Sequence, residues 1–165
     1  PMFVNEAQEC LGGIGYVEEN PMPRYYRQAP LNSIWEGSGN VQCLDVLRAL
    51  AKEPNVKEAL FNELKTQTGK NKHYDIHLSK LLDELSNTQN METRSRYLTE
   101  QMALALQACT LLATCTFLAK ENVHNDIAHT FCESRLGNAC GFALGTLSDT
   151  TPFEKIIALG RVSSS

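Results

Sequence analysis

The sequence predicts an all-α protein built as a helical bundle. Apolar residues recur at three- and four-residue steps along most of the chain, and no stretch alternates apolar with polar residues long enough to make a convincing strand. The gaps between the later periodic runs are short and polar, which suits antiparallel neighbouring helices. The 165 residues, 42% hydrophobic and 21% charged, have the composition of an ordinary globular chain with one or at most two cores, neither disordered nor collagenous.

In chain order, Phe3, Ala7, Cys10 and Leu11 share one helical face over residues 2–11, and Gly12-Gly13 ends that helix. A periodic stretch directly after Pro1 is expected of a segment cut from a larger protein. The opening PMFVNEAQECL has neither the basic nor the apolar region of a targeting signal. Residues 12–32 carry Gly12, Gly13, Gly15, Pro21, Pro23 and Pro30, so turns are expected there, with one short helix at 23–28. An ordered loop of that length usually serves function. Val41, Leu44, Leu47 and Leu50, with Val46 beside them, predict a helix from 38 to 51, and Lys52-Glu53-Pro54 breaks it. That break divides the chain into an expected first unit, 1–51, and a second, 52–165.

Four more helices are predicted, at 55–67, 73–87, 91–121 and 125–147, with polar connections at 69–72, 86–90 and 122–125. The longest apolar run, 102–119, is interrupted by Gln107, Thr110, Thr114 and Thr116. This fits a buried bundle helix whose threonines bond back to their own backbone, and not a membrane span. The tail after Arg161 is expected to fray.

Composition removes several function classes. Fifteen Lys and Arg stand against nineteen Asp and Glu, for a net charge of -4, so the chain has no global attraction for phosphate. The first 51 residues hold only Arg24, Arg27 and Arg48 against Glu6, Glu9, Glu18, Glu19, Glu36 and Asp45. In the remainder, Lys65, Lys70 and Lys72 form the densest basic cluster, and Arg94 with Arg96 a smaller one. Non-specific DNA affinity needs several phosphate contacts, and these clusters leave nucleic-acid binding unsupported. The six cysteines, at 10, 43, 109, 115, 132 and 140, form no CxxC pair, so reduced and mostly buried thiols are expected. His73 and His77 share a helical face but have no third ligand or HExxH context, and no metal site is predicted. His124 and His129 read as surface or capping residues.

Two glycine-bearing clusters stand out: LGGIGY at 11–16 and NSIWEGSGN at 32–40. The first, by itself, is explained by a helix end followed by a turn, and it lacks the strand-to-helix context of a dinucleotide-binding GxGxxG. In the second, Glu36 lies between Trp35 and Gly37 at a helix entry. A carboxylate beside an aromatic wall is partly desolvated and becomes a better base near neutral pH, while an acid at a helix start also complements the helix dipole. Ser38 and Asn40 can cap that helix or donate hydrogen bonds to a ligand. Composition leaves these roles open.

ECLGGIGY followed by NPMPRYYRQAPLNSIWEGSGNVQCLDVLRAL resembles the C-terminal helical domain of the acyl-CoA dehydrogenases. The resemblance covers the GGxG turn, the proline-containing segment with Arg27, the aromatic-Glu-Gly-Ser motif at 35–38 and the helix ending soon after Arg48. Glu9, IWEGSGN and the long tail are most similar to the AidB-like branch, with the resemblance over 52–165 resting on helical layout. It implies an FAD-dependent flavoprotein oxidoreductase of fatty-acid metabolism, a homotetramer when complete, acting on an acyl-CoA thioester and located in the cytoplasm or mitochondria.

By that resemblance Glu36 is the catalytic base that removes the α-proton, Trp35 flanks the substrate, and Gly12, Gly13 and Gly15 approach the FAD of a neighbouring subunit. Ser38 and Asn40 match the family's FAD-contacting positions. Glu9 stands where the family usually has Gln, and a carboxylate there repels phosphate unless protonated or paired. Arg27 is expected to serve packing and an ion pair, and Asp45 with Arg48 to form a helical pair. The N-terminal helical domain and β-barrel that such enzymes need are not in this sequence, so the isolated fragment is expected to be inactive. A second reading keeps the flavoprotein scaffold for lipid binding or a DNA-associated stress response with weak turnover. A third makes the helices after 52 an oligomerisation module.

Overall fold

The computed structural model describes residues 1–117, 122–137 and 144–161. The regular elements among these residues are all helices, with no strand among them. They divide into two compact units, Pro1–Asp45 and Val46–Ser165. The dividing point falls inside a continuous helix, not at the Lys52-Glu53-Pro54 break.

The first unit opens with α1, Met2–Leu11, which ends at Gly12 with φ 63°. A single helical turn follows, α2, Gly13–Tyr16, where only turns were expected. Gly15 is the reason α2 can lie against α1: a Cβ there would sit 2.7 Å from the Gln8 carbonyl oxygen, and the Gln8 side-chain amide donates to the Gly15 carbonyl at 2.9 Å. Helix α3, Met22–Gln28, has proline in its first turn, where the missing N–H costs nothing. It continues into a 3₁₀ turn, Ala29–Ser33. Helix α4 runs over Gly39–Lys52, starting one residue after the expected Ser38.

The second unit is built on α5, Pro54–Lys65; α6, Lys72–Ser86; and α7, Ser95–Phe117. Their apolar stripes interlock. Tyr74, Leu78, Leu81 and Leu85 of α6 face Leu98, Met102, Ala105 and Leu112 of α7, and Leu64 of α5 joins them, all buried in one core. The small side chains of Ala105 and Ala108 let neighbouring backbones come close. The Tyr74 hydroxyl, inside this core, donates to the Leu64 carbonyl at 2.6 Å. Burial first, and then the adjacent Cys109 thiol, push its ionisation far above the ordinary tyrosine range. The apolar stripes after residue 52 therefore pack on one another within the chain.

Helix α6 begins at a side-chain cap. Asn71 accepts from the backbone N–H of His73 at 2.8 Å and of Tyr74 at 3.3 Å, and its side-chain amide meets His129 Nδ1 at 2.8 Å. One buried residue thus starts α6 and ties it to α8, Asn122–Phe131. Helix α7 starts at Ser95, later than the expected 91, because the chain turns at Asn90 with φ 52°. The Arg94 guanidinium pairs with Glu84 and donates to the carbonyls of Asn87 at 2.7 Å and Gln89 at 3.1 Å, which closes that turn.

The expected last helix, 125–147, is not found as such. Its polar start, 122–125, opens α8 and is not a connection. After α8 a π-helical turn, Cys132–Leu136, leads to Gly137, whose backbone is extended with ψ 166° and ends the helical run. Residues 144–152 hold turns, with Gly145 at φ 92°, and not the helix expected up to 147. A helix absent from the expectation, α9, Phe153–Gly160, follows Pro152, and its Lys155 approaches Asp126 of α8 at 3.9 Å. The expected end of the 91–121 helix and the fraying tail beyond Arg161 fall on residues outside those described.

Candidate functional site

The two motif clusters both lie in the first unit, on turns that end or begin helices. Gly12 occupies a left-handed conformation that favours glycine, and an added Cβ at Gly12 or Gly13 would meet nothing within 4 Å. Their bare peptide groups border open space. Gly15, expected beside them at a cofactor, is buried, and a Cβ there would press on the backbone of α1.

In the second cluster the chain passes from the 3₁₀ turn through Trp35, Glu36 and Gly37 into α4. Glu36 has φ 58°, one of two non-glycine residues at positive φ among those described, and Gly37 follows at φ 115°. Two consecutive left-handed residues make a sharp reversal, and for glutamate this is uncommon and costs about 1 kcal/mol or more. The reversal is held from α4: the Gln42 side-chain amide donates to the Glu36 carbonyl, and the Gln42 backbone N–H bonds to the Ser38 carbonyl at 3.1 Å. Sequence reasoning missed Gln42. Its signal was a long amide side chain one helical turn beyond an expected loop, which is too common to single out.

The expected desolvation of Glu36 by Trp35 is not provided by this chain. Trp35 is 60% exposed, and Glu36, Ser38 and Asn40 are exposed as well. The turn displays these groups outward from the chain's own surface.

The flanking charges are partnered. Arg27 and Glu18 form a two-pronged pair, Nη1 to Oε1 at 2.7 Å and Nη2 to Oε2 at 3.0 Å, in line with the expected ion-pair role. The hydrogen bond to Arg27 holds the Glu18 carboxyl below the usual carboxylate range, and the same contact raises Arg27. Glu9 accepts from the Asn5 amide at 2.9 Å one helical turn earlier, which gives the carboxylate a local partner.

The other candidates resolve into structure. His77 is buried with Nε2 3.1 Å from the Gln101 carbonyl oxygen, and no group of three metal-ligating side chains occurs among the described residues. Thr110 and Thr114 bond back to the carbonyls of Leu106 and Thr110 at 2.9 and 2.8 Å. Arg94, of the smaller basic cluster, closes a loop as described. Cys109 and Cys132 are buried, Cys43 and Cys115 partly so, and Cys10 is exposed, so "mostly buried" holds for the second unit only; Cys140 lies outside the described residues. Burial, followed by the neighbouring Cys115 thiol, pushes Cys132 up to about 11. No helix among the described residues is long and apolar enough to cross a membrane.

Residues 2–51, the stretch holding both clusters, match the family profile described as acyl-CoA dehydrogenase, C-terminal domain. Over this stretch the chain is similar to the C-terminal domain of the acyl-CoA dehydrogenases. It is 45% identical to AidB of Escherichia coli (strain K12) over 102 residues, 62% of this chain and 18% of that protein. It is 39% identical to acyl-CoA dehydrogenase family member 11 of Caenorhabditis elegans over 78 residues, 47% of this chain and 13% of the relative. It is 44% identical to the mitochondrial short-chain specific acyl-CoA dehydrogenase of Bos taurus over 50 residues, 30% of this chain and 12% of that one. The likeness to AidB is about twice as long as the domain match, so it continues into the second unit and bears out the resemblance to the AidB-like branch. The chain spans less than a fifth of the length of these relatives.

Proposed function

We propose that this chain is the C-terminal part of an FAD-dependent acyl-CoA dehydrogenase in which Glu36 is the base that takes the α-proton of an acyl-CoA thioester. In this reading, residues 1–51 end the C-terminal helical domain and carry the catalytic and cofactor-facing turns, and 52–165 form a helical extension. The observation that carries the reading is the conformation of Glu36. A glutamate held at φ 58° on an outward-facing turn, inside the stretch that matches the family, is a strained backbone state of the kind that collects at functional sites.

The residues present fit FAD as an outside partner. The uncovered backbone at Gly12 and Gly13 leaves room for close approach by a group on another chain, and the exposed Ser38 hydroxyl and Asn40 amide supply hydrogen-bonding groups. When bound, FAD would accept the β-hydrogen as hydride. Glu36 receives the α-proton on a carboxylate oxygen, and Trp35 forms one wall beside the thioester. Because both side chains are exposed here, the exclusion of water that favours such a base falls to parts of the complete enzyme outside this chain, in a homotetramer. The isolated 165 residues are accordingly expected to hold no stoichiometric flavin and to be inactive.

The test uses the full-length protein. Glu36→Gln should keep FAD bound while slowing anaerobic flavin bleaching by acyl-CoA by roughly 10²–10⁴-fold. Undiminished bleaching in that variant would reject the base assignment.

A further inference from the structure

From the Glu36–Gly37 reversal we infer that Gln42 is a positioning residue for the base: its side-chain amide fastens the Glu36 peptide to the first turn of α4 and so fixes where the carboxylate points. The inference rests on the reading of Glu36 as the base. Three observations meet at this point. Glu36 and Gly37 are consecutive residues at positive φ, 58° and 115°, a reversal that relaxes easily unless something outside the turn holds it. The Glu36 carbonyl accepts from Gln42 Nε2, so the peptide leaving Glu36 is tied to a side chain and not to another loop. A Cβ added at Gly37 would stand 2.8 Å from Gln42 Nε2, so the amide fills the space that the glycine leaves empty.

Gln42 is suited to this by its place in the helix. Its backbone N–H makes an early bond of α4, to the Ser38 carbonyl at 3.1 Å, which makes its backbone part of a regular helix while its side chain reaches back over the turn. A base carried on a turn has freedom to swing, and swinging by about 1 Å can cost on the order of 10²-fold in rate. Gln42 transfers the rigidity of α4 to residue 36. It touches the backbone of the base and not the substrate, so its effect belongs to the rate of proton removal and not to affinity.

The experiment uses full-length, FAD-loaded protein with four variants. Gln42→Met keeps the length and loses the donor, Gln42→Asn keeps the amide but cannot reach, Gln42→Lys restores a donor at full reach, and Glu36→Gln is the reference. Stopped-flow bleaching gives the limiting rate and the acyl-CoA dissociation constant. Solvent-deuterium exchange into the α-carbon of acetyl-CoA, which has no β-hydrogen, reports the base without any oxidation. Gln42→Met and Gln42→Asn should slow both processes roughly 10–100-fold. Flavin content should be unchanged and the dissociation constant should stay within about threefold, while Gln42→Lys should recover most of the rate. Because residue 42 is exposed, the Asn variant decides the matter even where the Met variant folds poorly. Wild-type rates in the Met and Asn variants, a loss of flavin or affinity in proportion to rate, or a Lys variant as slow as Met would overturn the inference. Slow Glu36→Gln beside unaffected Gln42 variants rejects only the role of Gln42, whereas undiminished bleaching and exchange in Glu36→Gln reject the base assignment and this inference together.

Discussion

Residues Pro1–Asp45 and Val46–Ser165 differ in what holds them. In the first stretch only Gly15 and Pro23 are buried, and Phe3, Ile14, Tyr16, Ile34 and Trp35 are each at least 60% exposed. In the second, leucines from three helices close around Tyr74 in a continuous core. Ordering a residue costs about 1–2 kcal/mol of backbone entropy, which apolar burial must offset. The second stretch has that burial within itself, and the first does not. The family motifs lie in the stretch without a core, whose apolar side chains face outward, as the turn that carries Glu36 does. The stretch with a core carries no group of three metal-ligating side chains among its described residues, and its polar interior is used for caps and loop closure.

The contrast can be broken or sharpened by experiment. The largest effect should appear in thiol labelling followed site by site with mass spectrometry. Cys10 in the first stretch should react at the rate of a free thiol, and Cys132 in the second at least about 10³-fold more slowly, through opening of the core. Equal rates would remove the distinction between the stretches. Next, Leu81→Ala should lower the unfolding free energy of the chain by about 2–5 kcal/mol, whereas Phe3→Ala, at a position 84% exposed, should stay within about 0.5 kcal/mol. Denaturant titrations of the two variants make that comparison. Smaller again is the loss expected from Asn71→Ala, about 1–2 kcal/mol, since it removes the α6 cap and the link to His129 together; an unchanged midpoint would show that the cap is replaceable.

The smallest effect is expected at the exposed Arg27–Glu18 pair. The folded Glu18 carboxyl titrates below its unfolded value, so the pair's contribution is present above the unfolded carboxylate range and is lost as pH falls through the lowered folded value. An NMR titration should place the Glu18 carboxyl below other exposed glutamates, and Arg27→Met should return it to the common range.

Much of the helical layout was legible before the fold. The face of Phe3, Ala7, Cys10 and Leu11 located α1, and the steps from Val41 to Leu50 located α4 to within one residue. The failures lie where tertiary contacts override periodicity. The 125–147 pattern is helical in its spacing, yet the chain turns at Gly137, and α9 begins after Pro152 with an apolar face too short to stand out. In the candidate site the chemical types were legible and their conformations were not. That Gly15 is needed by Gln8, and Glu36 by Gln42, are contacts between residues six or seven apart with no periodic signature.

The sequence by itself determined that the chain is helical and where most helices lie, because helical spacing and breakers are local properties. It also carried the family resemblance of residues 2–51, because that rests on the order of residue types. Only the tertiary structure decided that the motif-bearing stretch lacks a core of its own and that Gly15 serves packing. It also decided that Glu36 stands exposed in a left-handed turn held from α4. Burial and backbone reversal depend on which distant atoms meet, and no residue carries that information alone.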